Sequence, residues 1–238
     1  MYAISLTSIP PRFEGLEPVL SALLAQRPEP VAVYLCLPRS YLRYPGPIMP
    51  PALPEGVELL WSEGDIGPAG KALIAARHLA GQVARLIYCD DDWIYPQGWA
   101  AALLSGAGDG VASTGQGFSV SRLKRKSNAK PGFTDIAQGF SGVCLDPKWL
   151  TGDEMTPPKA AWPVDDIWLS GQLARQGIDV QEVRKARNGL CPAFDDSHAL
   201  QDTSINGHSR QSANLACAKE LTRRYGLWPA ASSAHRAT

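Results

Sequence analysis

The sequence predicts an α/β domain with a mainly parallel central sheet flanked by helices. Three observations predict it. Short β-compatible runs alternate with segments of helical spacing. Those runs are nearly continuously apolar, as strands covered on both faces are. No internal repeat or long linker divides the 238 residues, so residues 1–228 read as one domain and 229–238 as a flexible C-terminal tail.

The elements follow in order. "YAISLT" (2–7) is a first strand that stops at "SIPPR", where Pro10 and Pro11 cannot continue a ladder. Residues 13–26 place Leu16, Leu20, Leu23 and Leu24 at helical spacing. "VAVYLCLP" (31–38) and "VELLW" (57–61) are the second and third strands. "GPAGKALIAARHLA" (67–80) runs from loop into helix, and "ARLIYC" (84–89) is the fourth strand. Beyond it the pattern weakens, with short strands expected at 110–114 and 139–146. "DDIWLSGQLARQG" (165–177) is a helix whose two leading acids suit its dipole and whose last turn is followed by Gly177. A strand at 178–183 and a helix at 213–226 complete the chain.

Composition narrows the function. Lys+Arg 23 balances Asp+Glu 23, so nothing draws the whole protein to nucleic acid or an anionic surface, and any charged ligand must meet a local site. The N-terminus lacks a basic, apolar leader, and no apolar run reaches the roughly 18 residues of a membrane helix. A cytoplasmic protein is expected, with no integral membrane segment and at most peripheral membrane association. Five scattered cysteines, none in a CxxC spacing, argue against a disulfide framework or a structural zinc site.

The chemistry concentrates in "RLIYCDDDWIYP" (85–96), where an apolar strand delivers Asp90, Asp91 and Asp92 to its carboxyl end. Ligands of open parallel sheets bind beyond that edge. Three adjacent acids there suit a hard divalent cation, Mg²⁺ or Mn²⁺, that shares its ligand shell with a diphosphate. The competing reading is a solvated acidic turn.

"LIYCDDDWIYP" resembles the DxD motif of the GT-A-fold glycosyltransferases, and the likeness extends over most of residues 2–226. The resemblance implies a single GT-A-type, Rossmann-like domain that uses a nucleotide-sugar donor, a divalent metal, and a saccharide or other hydroxyl acceptor. Carried over residue by residue, Asp92 is the chief metal ligand, and Asp90 and Asp91 lie on the nucleotide side, with Asp90 also near the metal. "LTSIPPR" looks like the nucleotide-contacting loop, with Thr7 and Arg12 as candidates. "DIGPAGK" offers Asp65 to the base or ribose and Lys71 to the phosphates. "GFSGV" resembles the small-residue strand lining the sugar and acceptor, with Ser141 and Gly142. "VDDIWLSG" looks like the acidic pair that supplies the general base of inverting members, with Asp166 the better match and Asp165 its neighbour. His208 is a candidate third metal ligand, and His198 competes with it. Trp162, beside the acidic pair, is the tryptophan placed to stack on a sugar.

Each role has an ordinary counterpart. Asp165 and Asp166 also serve as helix N-terminal acids, Lys71 and Arg12 as surface cations, and the histidines as loop residues. "SRLKRKSNAKPGF" (121–133) is a solvated face or a loop meeting an anionic acceptor or the diphosphate. With no added C-terminal domain or membrane anchor in the sequence, a lipid-linked acceptor is expected to need a partner. The resemblance also leaves room for a silent saccharide- or partner-binding relative. A sugar nucleotidyltransferase fits less well, because "TSIPPRFEG" replaces its glycine-rich signature, and "DDDWIYP" lacks a phosphatase's context.

Overall fold

The structure, a computed structural model, describes residues 1–194 and 210–231. In chain order its regular elements are β1 (Tyr2–Thr7), α1 (Glu17–Leu24), β2 (Val33–Pro38), β3 (Val57–Ser62), α2 (Gly70–Leu79), β4 (Arg85–Tyr88), β5 (Trp93–Ile94), α3 (Trp99–Gly106) and β6 (Val111–Thr114). There follow β7 (Gly117–Phe118), β8 (Phe133–Thr134), β9 (Ile136–Ala137), β10 (Val143–Leu145), α4 (Asp165–Arg175), β11 (Asp179–Glu182), β12 (Cys191–Pro192) and α5 (Arg210–Tyr225).

Eight strands form one sheet in the order β3-β2-β1-β4-β10-β6-β11-β8. The first four are parallel, β10 runs against both its neighbours, and β11 is again parallel to β6. Successive side chains of a strand leave on opposite faces. Ile4, Leu6, Val33, Leu35 and Leu37 therefore pack with α1 and α3, whereas Ala3, Tyr34 and Cys36 pack on the side of α2, α4 and α5. Every residue of β2 is buried, which is why its sequence is apolar without alternation. Ala69, Ala72, Ala75 and Ala76 are fully buried, and their small side chains let α2 lie close on the sheet.

The chain order places the cleft. From β1 the chain passes through α1 to β2 and β3 on one side, then α2 returns it to β4 on the other side of β1. The order in which strands are added reverses between the parallel strands β1 and β4, and a crevice opens beyond their carboxyl ends.

Three expected elements are corrected. The first helix begins at Glu17, because Pro10–Gly15 winds as a 3₁₀ turn. Residues 139–146 are not one strand: Gly139–Ser141 is a 3₁₀ turn, Gly142 turns the chain at φ +85°, and β10 starts only at Val143. The expected tail does not begin at 229, since Pro229–Ala231 bonds to the backbone of residues 124–126. Two-residue strands β5 and β12 pair beside the cleft, and α3 was not evident in the sequence. Among the described residues no helix is long and apolar enough to cross a membrane.

Candidate functional site

Beyond β1 and β4 lies a cleft of about 410 Å³, walled by Ser8, Arg12, Tyr41, Lys71, the three consecutive acids, Trp162, Asp165 and Asp166 among others. Burial of β4 up to Cys89 holds the strand rigid to the point where the acids emerge. The aromatic turn that follows then locks them. The Tyr95 hydroxyl accepts the Asp90 N–H at 3.1 Å and lies 2.9 Å from the Asp90 carbonyl, while its ring packs on Trp99 with centroids 4.4 Å apart.

The three acids take different directions. Asp91 turns inward, where its carboxylate accepts from Ser8 Oγ at 2.5 Å and from the Arg12 guanidinium. Burial pushes the Asp91 carboxyl above its ordinary pKa, against the opposing pull of Arg12 and Ser8. Asp92, 3.4 Å from Arg12 Nη2, keeps 25% of its side chain exposed and Asp90 keeps 32%, against 5% for Asp91. Asp90 and Asp92 are therefore the more exposed of the three acids.

Asp90 is joined to the helix across the cleft. Lys71, in the first turn of α2, has only 4% of its side chain exposed and lies 2.5 Å from Asp90 Oδ1 and 2.7 Å from Asp165 Oδ2. Burial alone would lower its pKa. The charges of Asp165, Asp90 and Asp166 outweigh that, hold it well above the ordinary value, and keep the ammonium charged. Lys71 lines the cleft, as the sequence reading expected, and its ammonium lies between two carboxylates.

Gly139 packs directly against this ion pair. A Cβ there would stand 2.8 Å from Lys71 Nζ and 3.0 Å from Asp90 Oδ1. Gly139→Ala is accordingly expected to cost about 1–3 kcal/mol through overpacking, read as a lowered Tm in calorimetry.

Asp166 begins α4 beside Asp165. Its Oδ1 accepts the Gly139 N–H at 2.9 Å. Burial first, and then the charge of Asp165, push its carboxyl up to about 7, with Lys71 pulling the other way. A carboxylate that gains and loses its proton near neutrality, in a cleft lined by further acids, is equipped for proton transfer.

The remaining candidates divide. Trp162 lines the cleft, its indole N–H donating to the Asp65 carbonyl at 3.2 Å and its ring lying against Gly67. Thr7 lines it too, with its hydroxyl donating to the Cys36 carbonyl at 2.6 Å. The Asp65 carboxylate accepts from the Leu42 and Gly67 N–H groups, each at 2.8 Å, and so ties two loops of the cleft wall together. Ser141 and Gly142 are corrected, because neither lines the cleft. Ser141 is fully buried, its hydroxyl accepting the Gln116 N–H at 2.8 Å, and Gly142 lies against the Trp99 ring. Gln138 and Phe140 of the same segment take the lining positions. His208 and His198 lie outside the described residues. Sequence reasoning missed Ser8 and Tyr41. The buried Tyr41 hydroxyl donates to the Ser8 carbonyl at 2.8 Å, and only the serine's place at a strand end could have signalled either.

No protein-family model matches the chain, and no curated protein does. Among solved structures the chain is similar to GalNAc-T7 with UDP, GalNAc and Mn²⁺, at a TM-score of 0.54 and 13% identity over 77% of this chain and 42% of that one. It is also similar to the galactosyltransferase LgtC in complex with donor and acceptor sugar analogues, at a TM-score of 0.46 and 9% identity over 76% of this chain and 73% of that one. The first likeness shows the fold, which is that of the GT-A glycosyltransferases, as the sequence resemblance implied. The chain spans less than half the length of that first structure.

Proposed function

We propose that this protein is a metal-dependent glycosyltransferase that moves a sugar from a nucleoside diphosphate donor to a hydroxyl acceptor with inversion. One observation carries the reading. Asp166, with a carboxyl pushed up to about 7, shares a cleft with Asp90 and Asp92 at the switch point of a GT-A fold.

The acids fit a divalent cation. Among the described residues no group of three or more His, Cys, Asp or Glu side chains could hold a metal by itself. Mg²⁺ and Mn²⁺ ask for less, since they take one or two carboxylates and fill the rest of the shell with phosphate oxygens and water. Asp90 and Asp92 supply that much, with Asp91 held back by Ser8 and Arg12. When bound, the cation would neutralise charge on the departing diphosphate.

The chain's own residues do the rest. Arg12 and Ser8 hold Asp91, and thereby the whole acidic turn, in place. Lys71 joins the donor-side acid Asp90 to the base-bearing helix α4, so the two halves of the cleft keep a fixed spacing. Trp162 offers an aromatic wall to a sugar ring. The Asp166 carboxylate takes the acceptor hydroxyl proton as oxygen attacks the anomeric carbon from the face opposite the leaving group.

A second reading, a domain that binds a nucleotide sugar without turning it over, has one observation in its favour: one oxygen each of Asp90 and Asp165 is already engaged by Lys71.

The two readings part in a donor-turnover assay. Nucleotide sugars of each common base are incubated with Mn²⁺, Mg²⁺ or chelator, and release of nucleoside diphosphate is followed. Release from one donor class that needs the metal supports transfer, and binding without release supports the silent domain. Where release occurs, its rate is expected to rise with pH and level off above about 7, because Asp166 acts only when deprotonated. A rate that falls across that range would contradict its role as base.

A further inference from the structure

A second cleft, of about 680 Å³, opens beside the first and has no part in the chemistry above. Trp93 and Arg187 line both clefts. Between them stands Phe140, whose ring is 5.3 Å from that of Trp93 and carries the Arg187 guanidinium 5.8 Å above it. Phe140 follows Gly139, whose N–H binds Asp166. A chain lying in the second cleft and crossing this saddle would thus present its end to the base.

The lining states what kind of chain fits. Trp93, Phe118 and Phe133 offer flat apolar surface, and Gln116, Ser119, Thr134 and Asn188 offer hydrogen-bonding groups, the combination that pyranose faces and hydroxyls require. The charge is one-sided: Arg122, Arg184 and Arg187 face a single carboxylate, Glu182. That carboxylate pairs with Arg184 at 3.4 Å, and among the described residues neither Arg122 nor Arg187 has an ion-pair partner. Both are instead held over aromatic rings, Arg122 at 5.7 Å from the centre of Phe118, with their forks left to bind an oxyanion. In a chain whose formal net charge is zero, this is a local concentration of positive charge inside a saccharide-sized groove.

We propose that the second cleft is the acceptor site and that it selects an anionic saccharide, one bearing carboxylate, sulfate or phosphate groups. The inference rests on the glycosyltransferase reading and deepens it by naming the acceptor class. Arg122, from the basic run of the sequence, binds the charge farther from the reaction, and Arg187 binds it at the saddle. The other cations of that run point to no such role; Lys130, for one, pairs with Asp179 at 2.9 Å.

The test is an array of immobilised glycans, neutral ones beside uronate-, sialate-, sulfate- and phosphate-bearing ones, probed with wild type, Arg122→Gln and Arg122→Lys. Wild type is expected to bind acidic glycans only, and the four acidic arms identify which oxyanion is recognised. Arg122→Gln should lose about tenfold or more of that signal, the scale of one charge-assisted bidentate contact, and Arg122→Lys, which keeps the charge but not the fork, should fall between the two, while an unchanged Tm for both variants shows that folding is intact. Binding to neutral glycans at comparable strength, binding to no glycan, or equal binding by Arg122→Gln would each overturn the proposal. Calorimetry of nucleoside diphosphates against wild type reads the first cleft separately, so failure of the acceptor assignment is distinguishable from failure of the glycosyltransferase reading.

Discussion

Replacing Asp166 with asparagine is expected to slow sugar transfer by about 10²- to 10⁴-fold, the usual contribution of a positioned base, while nucleoside diphosphate affinity changes by no more than about twofold. Asparagine keeps the carbonyl oxygen that accepts the Gly139 N–H, so the turn beneath the cleft should survive. What it loses is the ability to take a proton. The pH profile gives a second signature: the rise toward about 7 belongs to Asp166 and should be absent in the variant. Stability carries a third. The Asp166 carboxyl titrates higher in the folded chain than the unfolded value of about 4, so the folded state binds the extra proton between those limits. Its contribution to stability is therefore present at low pH and fades as pH rises through about 7. Asp166→Asn should remove that decline, measured as Tm against pH.

Lys71→Met is expected to destabilise the protein by about 3–5 kcal/mol, because it leaves buried carboxylates without their cation. The side chain of Asp165 is only 6% exposed, and solvent cannot replace the ammonium there. In a chain of this length that corresponds to a fall in Tm of about 6–20 °C. The sign of its pH dependence follows. Lys71 lowers the pKa of Asp166, so its loss lifts the folded value still further above the unfolded one. The folded variant then binds more protons, and its stability should recover as pH falls. A lysine that merely touched phosphate from the surface would show neither the large loss nor the acid recovery.

Much of this site was legible before any coordinates. The apolar strands announce themselves because burial on both faces leaves no polar position in them, and "CDDDW" stands out because acids follow directly on such a strand. The start of α4 was readable from two acids at the head of a helical pattern. Where reading failed, the cause was long-range. In α3, Trp99–Gly106 is apolar nearly all round, so no periodic face marks it as helix. The segment "GFSGV" looks like strand by composition, and only the positive φ of Gly142 and the packing of Trp99 behind it make a turn that buries Ser141 and exposes Phe140. The pairing of Lys71 with both Asp90 and Asp165 joins residues 19 and 94 positions away, and nothing local in the sequence declares it. The division of labour among three identical acids is of the same kind. Asp91 faces inward because Ser8 and Arg12, about 80 residues earlier, are there to receive it.

In the proposed function, Asp90 and Asp92 hold a cation shared with a diphosphate. Calorimetric titration of UDP, GDP, CDP and dTDP, each with Mn²⁺ and with chelator, into wild type and Asp92→Ala tests it most directly. One nucleotide is expected to bind wild type only when the metal is present and not to bind the variant. Binding that is indifferent to both metal and Asp92, or no binding by any of the four, would contradict it.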